Sequence, residues 1–278
     1  MLGAARGQPA PVTGTRPLAL VSGGSSGIGF ELAAQLAQRG HDVAISGQGD
    51  RVDEAAERLR EHGVAAHPHQ GDAGTYEGVE SFWTFVTDLG RPVEVACLNV
   101  GIGLGGAFAD SDLAEHLRVV AVNVAGLVHL AKRVTDAMLA QGRGRILVTS
   151  SISATTPTPY ETVYGPSKAF GFAFAESLRE EVRHAGLTVT ALLPGATDSE
   201  FHHRAGMGDT QYGDNTWKND RTLVARQGID ALFAGDDQVV GGDEATRQQA
   251  ADNRATPETV KAARHAEGAR PSGELSRG

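Results

Sequence analysis

From Pro17 onward, short apolar runs alternate with longer stretches in which apolar positions recur every three or four residues. The first pattern reads as strand and the second as amphipathic helix. Strands are expected at residues 17–22, 42–46, 64–69, 93–98, 144–150 and 187–193, with a short seventh at Gln238-Val239-Val240. Helices are expected at 28–39, 51–61, 76–88, 111–140, 163–184 and from Arg221 through Ala234. Such alternation implies parallel strands joined by right-handed crossovers, hence an α/β doubly wound sheet with helices on both faces. The 278 residues suit one such domain.

Two stretches carry candidate chemistry. Ser22-Gly23-Gly24-Ser25-Ser26-Gly27-Ile28-Gly29 follows the apolar run Leu18-Ala19-Leu20-Val21 and opens a helical pattern through Arg39. Glycines there permit a tight turn, let a pyrophosphate approach the backbone and let helix and strand pack closely. The helix N-terminus adds free N–H groups and a positive dipole end. Far downstream, Ser151 precedes Tyr164-Gly165-Pro166-Ser167-Lys168. Tyr164 and Lys168, four apart on a helix, share one face with Cβ atoms about 5–6 Å apart. A nearby ammonium lowers a phenol's pKa, so Tyr164 can exchange a proton with an alcohol oxygen near neutral pH. Ser151 can hydrogen-bond the same oxygen.

In this order the motifs resemble the short-chain dehydrogenase/reductase family, in its single-domain branch. The family pattern Thr-Gly-x-x-x-Gly-x-Gly is matched from Ser22 to Gly29, with Ser22 in place of threonine. Asn-Asn-Ala-Gly is met only partly, by Leu98-Asn99-Val100-Gly101, and the loss of the first asparagine removes a side chain that braces the sheet in relatives. The family's asparagine, serine, tyrosine and lysine fall on Asn123, Ser151, Tyr164 and Lys168, and its Pro-Gly motif on Pro194-Gly195. The likeness runs from about residue 16 to 200.

The resemblance implies strand order 3-2-1-4-5-6-7 and an NAD(P)(H)-dependent oxidoreductase that interconverts a ketone and a secondary alcohol. It places Gly23, Ser25, Ser26, Gly27, Ile28 and Gly29 at the cofactor's phosphates, and Asp72 and Ala73 at its adenine. Asn99, Gly101 and Lys168 fall at the nicotinamide ribose, and Pro194, Gly195 and Thr197 at the carboxamide. Asn123 is expected to distort its helix and hold a proton-relay water beside Lys168. Residues of about 198–220 form the substrate lid, within a domain of residues 17–243. Helices 111–140 and 163–184 imply a homodimer or homotetramer, with Ala169-Phe170-Gly171-Phe172-Ala173-Phe174 allowing close packing. The alternative is a nicotinamide-binding regulatory or scaffold protein with little turnover.

Cofactor choice turns on Gly47-Gln48-Gly49-Asp50-Arg51, after the second strand. A carboxylate ending this strand would repel a 2′-phosphate; Gly47 is neutral, which tilts the expected choice to NADP(H) over NAD(H). Gln48 stands where NADP-preferring relatives put arginine, and Arg51 is a candidate phosphate contact.

Charge and composition then narrow the partners. A net charge of −9 with scattered Lys and Arg gives nucleic acid no electrostatic support. The single cysteine, Cys97, lies in an apolar run, so it is expected buried and inert in a reducing, cytoplasmic compartment. Residues 1–16 read as a disordered leader, and no stretch is expected to span a membrane. His62, His67 and His69 fit no metal-ligand spacing, and no metal is expected. Phe201, Tyr212 and Trp217 are candidates to line the substrate site, Tyr160 to face it, and His202-His203 to be solvent-exposed. Residues 244–278 read as peripheral helices and a disordered end. With no cluster of Arg or Lys, the substrate is expected to be neutral and partly apolar.

Overall fold

The computed structural model describes residues 16–271, so the expectations for residues 1–15 and 272–278 lie outside the described residues. Strands β1 (Leu18–Ser22), β2 (Asp42–Gly47), β3 (Ala66–Gln70), β4 (Val93–Leu98), β5 (Gly144–Thr149), β6 (Leu187–Pro194) and β7 (Gln238–Gly241) form one sheet. Its order is β3-β2-β1-β4-β5-β6-β7, and all pairs are parallel.

Strand periodicity decides which helices cover which face. Ala19, Val21, Val43, Ile45, Val95 and Cys97 point to one side. There they meet α1 (Gly27–Gln38), α2 (Arg51–Arg60) and α8 (Arg221–Ala234). Leu18, Leu20, Ala44, Ala96, Leu98 and Ile146 point to the other. They are covered by α3 (Tyr76–Asp88), α5 (Leu127–Gln141) and α6 (Tyr164–Val182). Each fully buried Leu, Ile or Val contributes roughly 1.5–3 kcal/mol. Cys97 sits wholly within the first layer, and burial pushes its thiol far up, which removes its reactivity.

Three elements differ from expectation. The third strand starts two residues later; it is the sheet edge, where Pro68 removes no needed ladder bond. Within it, His69 stacks on Phe82 and Phe85, with ring centroids 5.6 and 5.0 Å away. The expected helix 111–140 is three segments: α4 (Leu113–Val120), a wide turn of π-helix over Ala121–Gly126, and α5. The continuous run Leu113–Gln141 is long and apolar enough, by length and composition, to cross a membrane, which corrects the expectation that no stretch would be. Here Leu127, Leu130, Val134 and Met138 bury its α5 face against the sheet.

The C-terminal helices α9 (Glu244–Ala255) and α10 (Glu258–Ala269) are not peripheral. Buried Lys261 donates to the carbonyls of Thr155 and Asn253, each at 3.0 Å, and pairs with Glu258 at 2.8 Å. Asn253 donates to Thr155 Oγ1 at 2.8 Å. These bonds fasten both helices to the segment that follows β5.

Candidate active site

A cavity of about 1370 Å³ runs along the carboxyl ends of the strands. Every residue expected at the cofactor or the chemistry borders it, from Gly23 to Thr197, with the exception of Asn123, which stands just behind. Phe201 (in α7, Phe201–Arg204), Tyr212, Trp217 and α10 complete the walls.

At the outer end, the turn between β1 and α1 uses left-handed backbone at Gly23 (φ 69°) and Gly27 (φ 56°). A Cβ at Gly29 would overlap the Gly23 carbonyl and the Asn99 amide. Ser22 Oγ accepts from the N–H groups of Asn99 and Val100 at 3.0 and 3.3 Å. Asn99 Nδ2 returns bonds to the carbonyls of Ser22 and Gly23 at 3.3 and 3.4 Å. These bonds brace β1 against β4 beside Leu98. Ser26 precedes α1 in extended backbone without a side-chain cap, and Gly27, Ile28 and Gly29 border the cavity. A dinucleotide's pyrophosphate fits this cradle, since the helix N-terminus is open and only glycine lets the backbone close so tightly.

Beside it, a side chain at Gly47 would meet Ser25 at 2.8 Å, so the packing that shapes the turn also excludes a carboxylate there. Gln48 is exposed at the rim. Arg51 reaches the cavity while paired with Glu200, just before α7, at 3.0 Å. Arg58, not singled out from sequence, lies two turns further along α2, its guanidinium 4.0 Å from the centroid of Phe30. A seven-residue spacing from Arg51 was the available signal. Asp72 borders the cavity with Ala73 and is not a helix cap: Thr75 caps α3, accepting from Gly78 N at 3.0 Å. Burial would raise the Asp72 carboxyl, but bonds from Arg118 and the Gly74 N–H outweigh it and hold it below its ordinary range.

At the inner end, Tyr164 opens α6 and Lys168 follows one turn later, both buried. Lys168 Nζ lies 5.9 Å from the Tyr164 ring centroid and donates to Thr149 O at 3.1 Å. Ser151 lies in the turn after β5, where its Oγ accepts from Ser153 N at 3.1 Å. Ser150 is engaged elsewhere, donating to Lys168 O at 2.7 Å. Within the protein alone the phenol is pushed up, not down as expected: burial is the largest cause, Glu161's negative charge adds to it, and Ser151 opposes. Burial also pulls Lys168 down to about 8. Asn123, inside the wide turn, accepts from Ile102 N and donates to Ile102 O and Ser167 Oγ, each at 2.9 Å. It thereby locks the strand-β4 loop to α6 behind Lys168.

Further in, Pro194, Gly195 and Thr197 follow β6, and Thr197 Oγ1 donates back to Gly195 O at 2.8 Å. Asn219, missed from sequence, donates to Ala196 O and Thr246 Oγ1, both at 3.0 Å, and accepts from Asp243 N at 2.7 Å. Aromatic rings then wall the substrate end: Tyr164 to Phe201 (5.1 Å), Phe201 to His202 (5.3 Å), His202 to Tyr212 (5.4 Å) and Tyr212 to His265 (5.6 Å). Trp217 joins Tyr212 at 6.0 Å. His202 is therefore not the exposed residue expected; burial, then the charge of Lys218, pulls it down to about 4. Tyr160 does not face the cavity either. It adopts a left-handed backbone (φ 65°), packs against Ala269, and its hydroxyl accepts from Arg270 Nε at 3.1 Å. Among the described residues no cluster of three His, Cys, Asp or Glu side chains could hold a metal ion.

The glycine cradle, the strand order and this buried trio coincide with a match over residues 17–208 to the model of the short chain dehydrogenase family. The chain belongs to that family. Among curated relatives, the protein named "Probable oxidoreductase EphD" of Mycobacterium tuberculosis is 30% identical over 220 residues, 78% of this chain and 36% of that one. The chain thus spans about a third of that relative's length. Sulfoacetaldehyde reductase 2 of Chromohalobacter salexigens is 29% identical over 78% of this chain and 86% of its own. Among solved structures, a short-chain dehydrogenase from Sphingobium yanoikuyae in complex with NADPH aligns with a TM-score of 0.77 at 26% identity, covering 86% of this chain and 93% of that one.

Proposed function

We propose that the chain is an NADP(H)-preferring ketoreductase, running in reverse as a secondary-alcohol dehydrogenase, with Tyr164 as its proton donor. The observation that carries this reading is the buried set Ser151, Tyr164 and Lys168 at the inner end of a cavity whose outer end is a glycine cradle. A nicotinamide dinucleotide bound there supplies the hydride. Gly23, Ser25, Ser26, Gly27, Ile28 and Gly29 would hold its phosphates, and Asp72 and Ala73 its adenine side. Asn99, Gly101 and Lys168 would hold the ribose, and Pro194, Gly195 and Thr197 the carboxamide.

Ser151 orients the substrate oxygen and Tyr164 O–H delivers a proton to it. The raised phenol suits this role, because it stays protonated at neutral pH until a developing alkoxide draws the proton away. Lys168 makes one hydrogen bond to protein and has N–H groups left for ribose hydroxyls. The wide turn at Ala121–Gly126 leaves main-chain carbonyls out of the regular helical ladder, where a water could carry a replacement proton to Lys168. The aromatic walls exclude bulk water and favour a partly apolar substrate body.

Arg51, Arg58 and the exclusion of a carboxylate at Gly47 support NADP(H), as does the NADPH in the Sphingobium relative. Calorimetric titration tests this: NADPH should bind at least 10-fold tighter than NADH, and Arg58→Ala should erase most of the difference. Tighter NADH binding would overturn the preference. Leu113, Leu117 and Val120 are exposed on α4 and Phe170 on α6, which supports a homodimer or homotetramer through these helices. Light scattering should give a multiple of the 29.0 kDa chain mass.

A further inference from the structure

One acidic group in this cavity does more than add its charge near Tyr164. Glu161 lies three residues before Tyr164, and Gly165 N–H donates to its carbonyl at 3.3 Å, so it already belongs to the first turn leading into α6. Its charge acts on the Tyr164 phenol across this turn. The Glu161 side chain is 3% exposed, and its Oε1 has no hydrogen-bond partner among the described residues. Oε2 faces His265 Nε2 at 3.3 Å, a histidine that α10 carries across the cavity. Both residues border the cavity that contains Tyr164.

A buried carboxylate oxygen without a donor is costly, and native structures keep such groups where something else satisfies them. His265 does not fill that need at Oε1. Its Nε2, which approaches Oε2, is itself without a hydrogen-bond partner among the described residues. Oε1 is therefore an acceptor on the cavity wall that the described residues leave unbonded. Lys261 is no remedy, since it is bonded to Glu258, Thr155 and Asn253. The left-handed backbone at Tyr160, pinned by Arg270, sets the chain direction into Glu161 and so holds the carboxylate in place.

We propose that Glu161 and His265 form a substrate subsite that accepts a hydrogen bond from a hydroxyl group carried near the carbonyl of the substrate. The inference rests on the reductase reading above and names its substrate class: hydroxy ketones rather than simple ketones. A second cation is disfavoured, because Lys168 and Arg264 border the same cavity. A site built to bond a hydroxyl rejects the analogue lacking it, since its own polar groups are then left unpaired.

Binding, not turnover, tests the subsite. Tyr164→Phe protein, with and without NADPH, is titrated with hydroxyacetone and with butanone by saturation-transfer NMR; the two ketones differ by a hydroxyl against a methyl. Hydroxyacetone should bind on the order of 10-fold tighter or more, and adding Glu161→Gln should bring the ratio close to one. Equal binding in the parent, which needs no change at Glu161, overturns the inference, as does a ratio that survives Glu161→Gln. If the preference holds yet the unmodified protein reduces neither ketone, the subsite stands and the reductase reading falls.

Discussion

Lys168 sets burial against charge at a single residue, with one hydrogen bond to Thr149 as compensation. Burial pulls its pKa to about 8, whereas the unfolded chain holds the proton up to about 10.4. Between those values the unfolded state binds more protons, so stability rises with pH; below about 8 the full penalty of about 3 kcal/mol is present. Lys168→Met should therefore raise the melting temperature at pH 7 by several degrees while abolishing reduction, and the gain should shrink toward pH 10. Thermal unfolding at the two pH values checks this, and a variant that melts lower at pH 7 would show that Lys168 stabilises the fold as well as serving the chemistry. Tyr164 shows the same tension from the other side, since its own surroundings keep the phenol protonated.

The segment of about residues 198–220 is the element whose behaviour depends most on one titrating group. His202 stacks on Tyr212, with Lys218 Nζ 3.2 Å from its Nδ1, and is pulled down to about 4. As pH falls through the ordinary histidine value near 6.5, the unfolded segment takes the proton first. Stability of this element is thus lost from about pH 6.5 down to about 4. Hydrogen-exchange protection over residues 198–220, taken relative to the intrinsic rate at each pH, should fall across that window, and His202→Gln should flatten the dependence. Elements like this one also mark what could be read from the chain alone. Strands and sheet-facing helices were legible because their signals are local: Leu18 and Leu20 against Ala19 and Val21 already separate the two faces. The cradle was legible because glycine's roles there are backbone roles. The wide turn at Asn123 left no signal beyond one poor helix former, since what fixes it is Ile102 and Ser167, far away in sequence. The wall formed by α10 was illegible for the same reason, as Lys261 and Thr155 are 106 residues apart. Neither partner in the Glu161–His265 pair belongs to any motif.

For the whole molecule, the parallel sheet brings residues from seven separate strands and their loops to one edge, so a single cavity joins the phosphate cradle to the buried phenol. The net charge of −9 does not prevent anion binding, because the cradle works through local N–H groups and Arg51 and Arg58 lie beside it. The exposed apolar residues of α4 and α6 lie outside the cavity, so assembly and chemistry can coexist. The most direct test of proton donation by Tyr164 is NADPH consumption with a hydroxy ketone, compared between the unmodified protein and Tyr164→Phe at matched cofactor saturation. Turnover should fall by roughly 10²- to 10⁴-fold while NADPH affinity is retained. Turnover that survives Tyr164→Phe within a few-fold would contradict the account, because the proton would then come from another group.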